Sequence, residues 1–386
     1  MSTLIIAISL QFLMAACHSQ PRGSSESAIQ PPFRAIHLPA GARPVMPTVA
    51  DVNGDGRLDL LIANGSGSVT VYIGDGQGAF TQTNGSPFAS AQEPNDVAIA
   101  DFNRDGNVDA AIANHGAKLV SILLGNGKGQ FSNAPGSPFA VESKPHPHGI
   151  AVADFNGDKK SDIAMDSWGE NKVLVMFGRN DGTFQTPGTK FDVGKMPYQR
   201  LRAADINEDG NADIVTSNFE DSSVSVLVSN GHGSFSRKDF SVPPDPFGIA
   251  IADLNGDRHL DIAIAHYSGQ GTDPSKNALS ILFGDGKGNF SLAKGSPFPT
   301  GNYPGTLAAG DLNGDGVSDI VIPNNEDGTL TIYLCTRNAI TPASYSPLRV
   351  GRAPHGVAIA DLNRDGKGDI VVAEETDNDV LVLLSK

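Results

Sequence analysis

The sequence predicts an all-β chain folded as a seven-bladed β-propeller, with four antiparallel strands to a blade. Three observations carry that prediction. A nine-residue acidic motif recurs seven times, at 51–59, 101–109, 154–162, 205–213, 253–261, 311–319 and 361–369, with starts 48 to 58 residues apart. A period near fifty marks an array or a propeller. Each repeat holds short apolar, β-rich runs divided by Gly, Asn and Asp, and no stretch keeps a 3.6-residue apolar period. The two ends also complement each other. The last repeat stops after its third run, "DVLVLLSK", while "PFRAIHLPAGARP" (32–44) before the first repeat looks like a fourth strand. An N-terminal strand that completes the seventh blade would leave no open edge, and open edges invite aggregation.

The chain of 386 residues divides into three parts. Residues 1–17, "MSTLIIAISLQFLMAAC", are apolar but too short to span a bilayer as a helix, and read as an export signal. Ala15, Ala16 and Cys17 resemble a bacterial lipoprotein cleavage box, which makes Cys17 the candidate for lipidation and an envelope lipoprotein the expected location, otherwise a periplasmic or secreted protein. The segment departs from that pattern in lacking Lys or Arg before the apolar run and in placing Met14 where Leu is usual. Residues 18–32 are rich in Ser, Pro and Gln and read as a flexible tether. Residues 33–386 form the propeller, read as a monomer.

Within the third repeat, "GIAVADF" is the first strand and runs directly into the acidic loop. "SDIAMD" is the second strand, "KVLVMFG" the third, and "TFQ" begins the fourth after the turn "RNDG". The single remaining cysteine, Cys335, lies in the apolar run "LTIYLC" and reads as a buried small residue.

Each acidic loop places Asp at positions 1, 5 and 9 and Asn at position 3. The sets are Asp51, Asn53, Asp55, Asp59; Asp101, Asn103, Asp105, Asp109; Asp154, Asn156, Asp158, Asp162; Asp205, Asn207, Asp209, Asp213; Asp253, Asn255, Asp257, Asp261; Asp311, Asn313, Asp315, Asp319; and Asp361, Asn363, Asp365, Asp369. Carboxylates this close repel one another unless a positive charge lies between them. An EF-hand would need Glu at position 12, but Ile62, Ile112, Met165, Thr216, Ile264, Ile322 and Val372 stand there, inside the second strand. Oxygen-only donors without imidazole or thiolate point to a hard cation, and loops of this kind suit Ca²⁺ better than Mg²⁺. Up to seven Ca²⁺ ions are expected. Position 6 should take a left-handed backbone and so favour Gly. Lys159 and Arg258 occupy it in the third and fifth loops, which are expected to bind Ca²⁺ last.

The acidic loops resemble those of the FG-GAP/VCBS repeat family, the repeats of the integrin α-subunit propeller. The turns "GDGQGAF" (74–80), "GNGKGQF" (125–131), "SNGHGSF" (229–235) and "GDGKGNF" (284–290) fit its bacterial members, whereas "CTRNAITPASYS" in the sixth repeat lacks the Gly-rich turn. The resemblance implies a seven-bladed propeller with Ca²⁺ loops between first and second strands. It says little about activity.

The net charge of −15 argues against a nucleic-acid partner. The acidic motifs hold 21 of the 43 acidic residues, so the acidity belongs to the loops. A ligand is therefore expected on the other face, built from the lead-ins to the first strands and the second-to-third loops. Its candidates are His148, Trp168, Tyr198, Arg200, Arg202, His266, Tyr267 and His355. Trp168, the single tryptophan, either stacks on a sugar ring or fills the gap between blades; Arg200 and Arg202 replace small or apolar residues and are expected to face the central channel. His115, His148, His266 and His355 read as unrelated surface histidines rather than a joint metal or acid–base site. No nucleophile motif is present. The leading expectation is a non-catalytic module that binds a protein or a polysaccharide, with a lectin as its sharper form. The alternative is an enzyme, such as a polysaccharide lyase, with His148, His355, Tyr198 and Arg200 as acid–base and anion-binding groups. Convergence of those side chains on one place separates the two. A structural envelope protein is a third reading.

Overall fold

A computed structural model describes residues 32–267 and 277–386. The signal, nearly all of the tether, Cys17 and residues 268–276 of the loop in the fifth repeat lie outside the described residues. The strands fall into seven antiparallel sheets, six of them in sequential order and the seventh pairing the first strand with the last. The N-terminal strand Phe33–Pro39 is the outer strand of the seventh sheet, paired along its whole length with Asp379–Ser385. The ring therefore closes as expected, through the chain's two ends.

Packing explains the strand sequences. All six residues of every second strand are buried, from Asp59–Asn64 in blade 1 to Asp369–Glu374 in blade 7. A strand covered on both faces by neighbouring blades needs apolar residues at every position, not at alternate ones. The core is accordingly a set of interblade seams. One joins Leu61 and Val71 of blade 1 to Ile112 and Leu123 of blade 2, and another joins Leu60 and Ile62 of blade 1 to Val371 and Val382 of blade 7. Cys335 is fully buried in the seam of blades 5 and 6, and burial pushes its thiol up to about 12. The first strands line a central channel of about 490 Å³.

In blades 1, 2, 5 and 6 the outer edge is two short pieces, such as Phe80–Gln82 and Phe88–Ala89, both paired with the third strand. Blade 3 differs from the sequence reading. Phe184 of "TFQ" makes a single bridge to Gly178, and the fourth strand is Thr189–Asp192.

The lead-ins repeat a device the sequence does not display. In six blades the residue before the lead-in proline has positive φ: Arg43, Glu93, Met196, Asp245, Tyr303 and Ala353. Its carbonyl accepts an N–H from the second-to-third loop, as in Gly65 to Arg43 (2.7 Å) and His115 to Glu93 (2.9 Å). A bulge follows the proline in blades 1, 2, 4, 5 and 7. Bulges re-aim side chains, and here Asn95 and His355 line the cavity at the mouth of the channel. Blade 3 alone lacks the device, and its first strand starts only at Ile150.

Candidate functional site

The seven acidic loops share one geometry. The position-1 carboxylate accepts the position-6 N–H in every loop, at 2.7 to 2.9 Å. The position-3 amide oxygen accepts the position-5 N–H, as in Asp55 N–H to Asn53 Oδ1 at 3.0 Å. The position-9 carboxylate is a clasp. In blade 1, Asp59 Oδ2 accepts the Val52 N–H and Oδ1 accepts the Gly74 N–H, both at 2.9 Å. The same pair of bonds recurs in the other six blades. Position 9 thus ties the acidic loop to the end of the third strand.

Position 6 is left-handed throughout, including Lys159 (φ 62) and Arg258 (φ 75). Position 4 is left-handed as well, and Arg104, Glu208 and Arg364 occupy it in the second, fourth and seventh loops. Five of the seven loops therefore hold one non-glycine residue in this region, so backbone strain does not single out the third and fifth as expected. The second and seventh loops use that position: Arg104 donates to the Lys159 carbonyl of the next blade (2.9 Å), and Arg364 to that of Gly56.

The donor set fits a hard divalent cation. Burial, and then the neighbouring carboxylates at positions 5 and 1, push Asp109, Asp162, Asp213, Asp261 and Asp319 up to about 6. A cation among those oxygens would reverse the pressure and hold every carboxylate ionised. Positions 1, 3, 5 and 9 would hold it, with the position-7 carbonyl.

On the opposite face, side chains from five blades meet at the channel mouth around a cavity of about 370 Å³, lined by Arg43, Glu93, Asn95, His115, His148, Tyr198, His355 and Glu375. His148, His355 and Tyr198 therefore converge. His148 is 1% exposed and sits over Asp166, a fully buried residue of the second strand of blade 3. Its backbone N–H donates to Asp166 Oδ1 at 2.8 Å, and its Nδ1 lies 3.2 Å from Asp166 Oδ2. Its Nε2 is buried with no partner. His355 directs Nδ1 at the Val45 carbonyl, 3.2 Å away. Burial, and then the Arg200 charge, lower its pKa.

Arg200 and Arg202 separate. Arg202 lines the channel, as expected. Arg200 is 1% exposed and reaches blade 2, where its Nη1 donates to the Asn95 carbonyl at 3.0 Å. Both guanidinium groups approach Asp96 Oδ2, at 3.4 and 3.2 Å.

Two expectations about histidine are corrected. His266 is not on the ligand face. It takes the last position of its second strand, where Asn64, Asn114, Asn218 and Asn324 stand in other blades. Those asparagines tie the second strand to the third, as Asn114 does to Ser121, and His266 does the same to Ser280 Oγ at 2.8 Å. Burial lowers its pKa to about 4. The unfolded chain then takes up a proton that the folded one refuses, so stability is complete above pH 6.5 and is lost as pH falls towards 4, by roughly 3 kcal/mol. Urea midpoints of the parent and His266→Gln, compared across that window, should show a larger acid loss in the parent, because the lowered histidines elsewhere, such as His146, are common to both; parallel curves would refute it.

The second correction is that His115 and His148 are not unrelated. With His146 they form a cluster whose ring centroids lie 3.9 to 4.8 Å apart. Burial, and then the other two rings, push His146 down to about 4. Trp168 packs on His146 and His148 (5.7 and 5.8 Å) and on Tyr198 (5.5 Å). The rings continue through Phe247 and Tyr267 to Tyr303, forming an arc from blade 2 to blade 6.

Sequence reasoning passed over His146, Asp166, Asp96 and Tyr303. Asp166 had a readable signal: it stands where the other second strands carry Ala63, Ala113, Ser217, Ala265, Pro323 and Ala373.

Four stretches match the FG-GAP-like repeat, at residues 51–112, 101–165, 205–264 and 267–322, together more than half of the chain. The chain belongs to the FG-GAP-like repeat family. Among curated proteins, this FG-GAP-like propeller is 28% identical over 191 residues to cartilage acidic protein 1 of Homo sapiens and 27% over 190 residues to that of Xenopus tropicalis. Each match covers 46% of this chain and under a third of the relative, 28% and 29%. Solved structures share the fold. BBS1N, crystallised in complex with ARL6DN, matches with a TM-score of 0.61 at 12% identity over 92% of this chain and 96% of its own. A catalytically inactive His-to-Ala variant of virginiamycin B lyase from Staphylococcus aureus, with quinupristin, matches at 0.58 and 14% over 92% and 100%. A lectin of Agrocybe aegerita, solved for its recognition of terminal N-acetylglucosamine, matches at 0.52 and 19% over 78% and 80%.

Proposed function

We propose that this FG-GAP-like propeller is an exported, calcium-binding module that takes a carbohydrate at the mouth opposite the acidic loops. The observation that carries the reading is the arc of rings from His115 to Tyr303 beside the polar cavity. Aromatic faces stack on the apolar faces of sugar rings. Arg43, Glu93, Asn95 and Glu375 supply donors and acceptors for hydroxyls around them. Ca²⁺ in the acidic loops holds the blades and leaves this face free. The apolar segment 1–17 supports export, with Cys17 as a lipid anchor, and fatty-acid labelling lost in Cys17→Ser tests that part.

Trp168 reports on the site directly, because it is the single tryptophan and packs on Tyr198. Titration of the chain with saccharides from a glycan array should shift its fluorescence. Tyr198→Ala should weaken binding about tenfold, the equivalent of roughly 1.4 kcal/mol. If no glycan moves the Trp168 signal of the folded chain, the carbohydrate reading fails and a protein ligand takes its place.

One observation favours the enzyme reading. His148 is oriented by Asp166, presents an unpaired Nε2, and shares its cavity with His355 and Tyr198. A histidine held by a carboxylate is equipped to take a proton from a substrate. Appearance of unsaturated sugar ends on incubation with acidic polysaccharides, lost in His148→Gln, is the outcome that would decide for it.

A further inference from the structure

We propose that His115, His146 and His148 form a transition-metal site suited to Zn²⁺, with an open coordination position on the cavity at the channel mouth. One ring nitrogen from each of the three imidazoles lies within 4.8 Å of one from each of the others. That places all three within reach of one ion. Among the described residues, the other such trio is His37, Glu374 and Asp379, on blade 7.

The orientation of the histidines argues for a site rather than a chance meeting. The Nδ1 of His148 is engaged by Asp166, which leaves the buried, unpartnered Nε2 as its ligand atom. An imidazole nitrogen shut away from water without a partner costs free energy, and a metal ion supplies the partner. The Nδ1 of His115 faces Glu93 Oε2 at 3.3 Å, which likewise leaves Nε2 free. A ligating histidine characteristically passes its other nitrogen to a carboxylate, which fixes the ring and raises its basicity. Two of the three histidines here have that second carboxylate.

A break in the repeat pattern points to the same place. Six blades clamp their lead-in with a left-handed residue before the proline, and blade 3 does not. Its segment "KPHPHG" instead holds the second-to-third loop through the Lys144 carbonyl, bonded by the Gly169 N–H at 2.8 Å. That change brings His146 against His115 of the preceding blade.

Donor chemistry selects the ion. Three neutral imidazoles without thiolate suit Zn²⁺, with Co²⁺, Ni²⁺ and Cu²⁺ as competitors, and do not suit Ca²⁺, which takes oxygen. The two faces would then sort two kinds of metal, Ca²⁺ in the acidic loops and Zn²⁺ at the mouth. Three protein ligands and a fourth open position describe a reactive or ligand-accepting zinc rather than a closed structural one. A water or a ligand oxygen would fill that position from the cavity. The site stands whether or not the cavity binds a saccharide, but it occupies the Nε2 that the enzyme reading needs free, so a bound ion would rule that reading out.

The test uses the full chain, freed of transition metals and kept in about 2 mM Ca²⁺ so that the acidic loops are filled. Calorimetric titration with ZnCl₂ should show one equivalent bound per chain. His115→Gln and His146→Gln, both partly exposed positions, should each abolish that equivalent, and Asp166→Asn should weaken it about 10- to 100-fold. Co²⁺ should give the visible absorption of a tetrahedral ion and quench Trp168, whose ring lies 5.7 Å from that of His146. His232→Gln, an exposed histidine, should change nothing. Melting in Ca²⁺ confirms that each variant is folded. No stoichiometric Zn²⁺ uptake, or uptake that survives both His115→Gln and His146→Gln, overturns the proposal.

Discussion

Chelation of Ca²⁺ with EGTA is expected to lower the thermal midpoint by roughly 15–20 °C. A site with Kd of about 0.1 mM at about 2 mM Ca²⁺ adds roughly 1.8 kcal/mol. Seven such loops add roughly 12 kcal/mol, as much as the whole stability of many domains. An unfolding entropy of about 2.1 cal/mol/K per residue, over about 350 residues, converts that sum to the stated shift. Mg²⁺ should restore little of it. The loop geometry sharpens the test, because positions 1 and 9 have different duties. Asp101→Ala removes a proposed ion ligand whose N–H donors, on Asp105 and Gly106, are exposed and can turn to water, so it should lower the midpoint in Ca²⁺ and have little effect in EGTA. Asp109→Ala also strands the buried N–H groups of Phe102 and Gly125. Each such group costs about 1–3 kcal/mol, so Asp109→Ala should destabilise the chain in EGTA too. If EGTA leaves the parent midpoint unmoved, the aspartates are turn formers, and only the position-9 effect should remain.

The fold was legible because the repeat states it seven times. Period, strand runs and the complementary ends all lie in single-residue patterns, and ring closure follows from edge chemistry. The shared acidic loops were legible for the same reason. What position 9 does besides was not, because the N–H groups it holds, such as those of Val52 and Gly74, look ordinary in sequence. Position 4 was missed since Arg104, Glu208 and Arg364 are not residues expected at positive φ. The opposite face was only half legible. His148, Tyr198 and His355 follow the lead-in prolines and were found by position. His146 came to them through a local break in the pattern, and His266 left them because the last residue of a second strand points into its own sheet. Partners separated by a hundred residues, such as Arg200 and Asp96, meet only once the ring exists.

That last pair carries the second large effect: Asp96→Ala is expected to cost about 3–5 kcal/mol, the range for breaking a buried ion pair from one side. Asp96 is 2% exposed and serves Arg200, Arg202 and, at 3.3 Å, the Ile150 N–H. Its removal leaves the Arg200 guanidinium buried beside the Asn95 carbonyl and the Met46 sulfur without its contacting carboxylate. Arg200→Met should cost less, because Asp96 keeps Arg202 and the Ile150 N–H while the methionine fills most of the space. The double variant should recover much of the loss, a coupling of about 0.5–3 kcal/mol that independent sites would not show. Urea midpoints in Ca²⁺ measure all three, and an Asp96→Ala no worse than Arg200→Met would mean that the pair is not desolvated. The effect should also reach the mouth, since Asn95 both receives Arg200 and donates its own amide to the His148 carbonyl at 2.9 Å. An arginine drawn across the channel from blade 4 to blade 2 fixes the position of blade 3's lead-in between them. Trp168 fluorescence in Asp96→Ala, read below its unfolding midpoint, should therefore shift even though Trp168 touches neither residue.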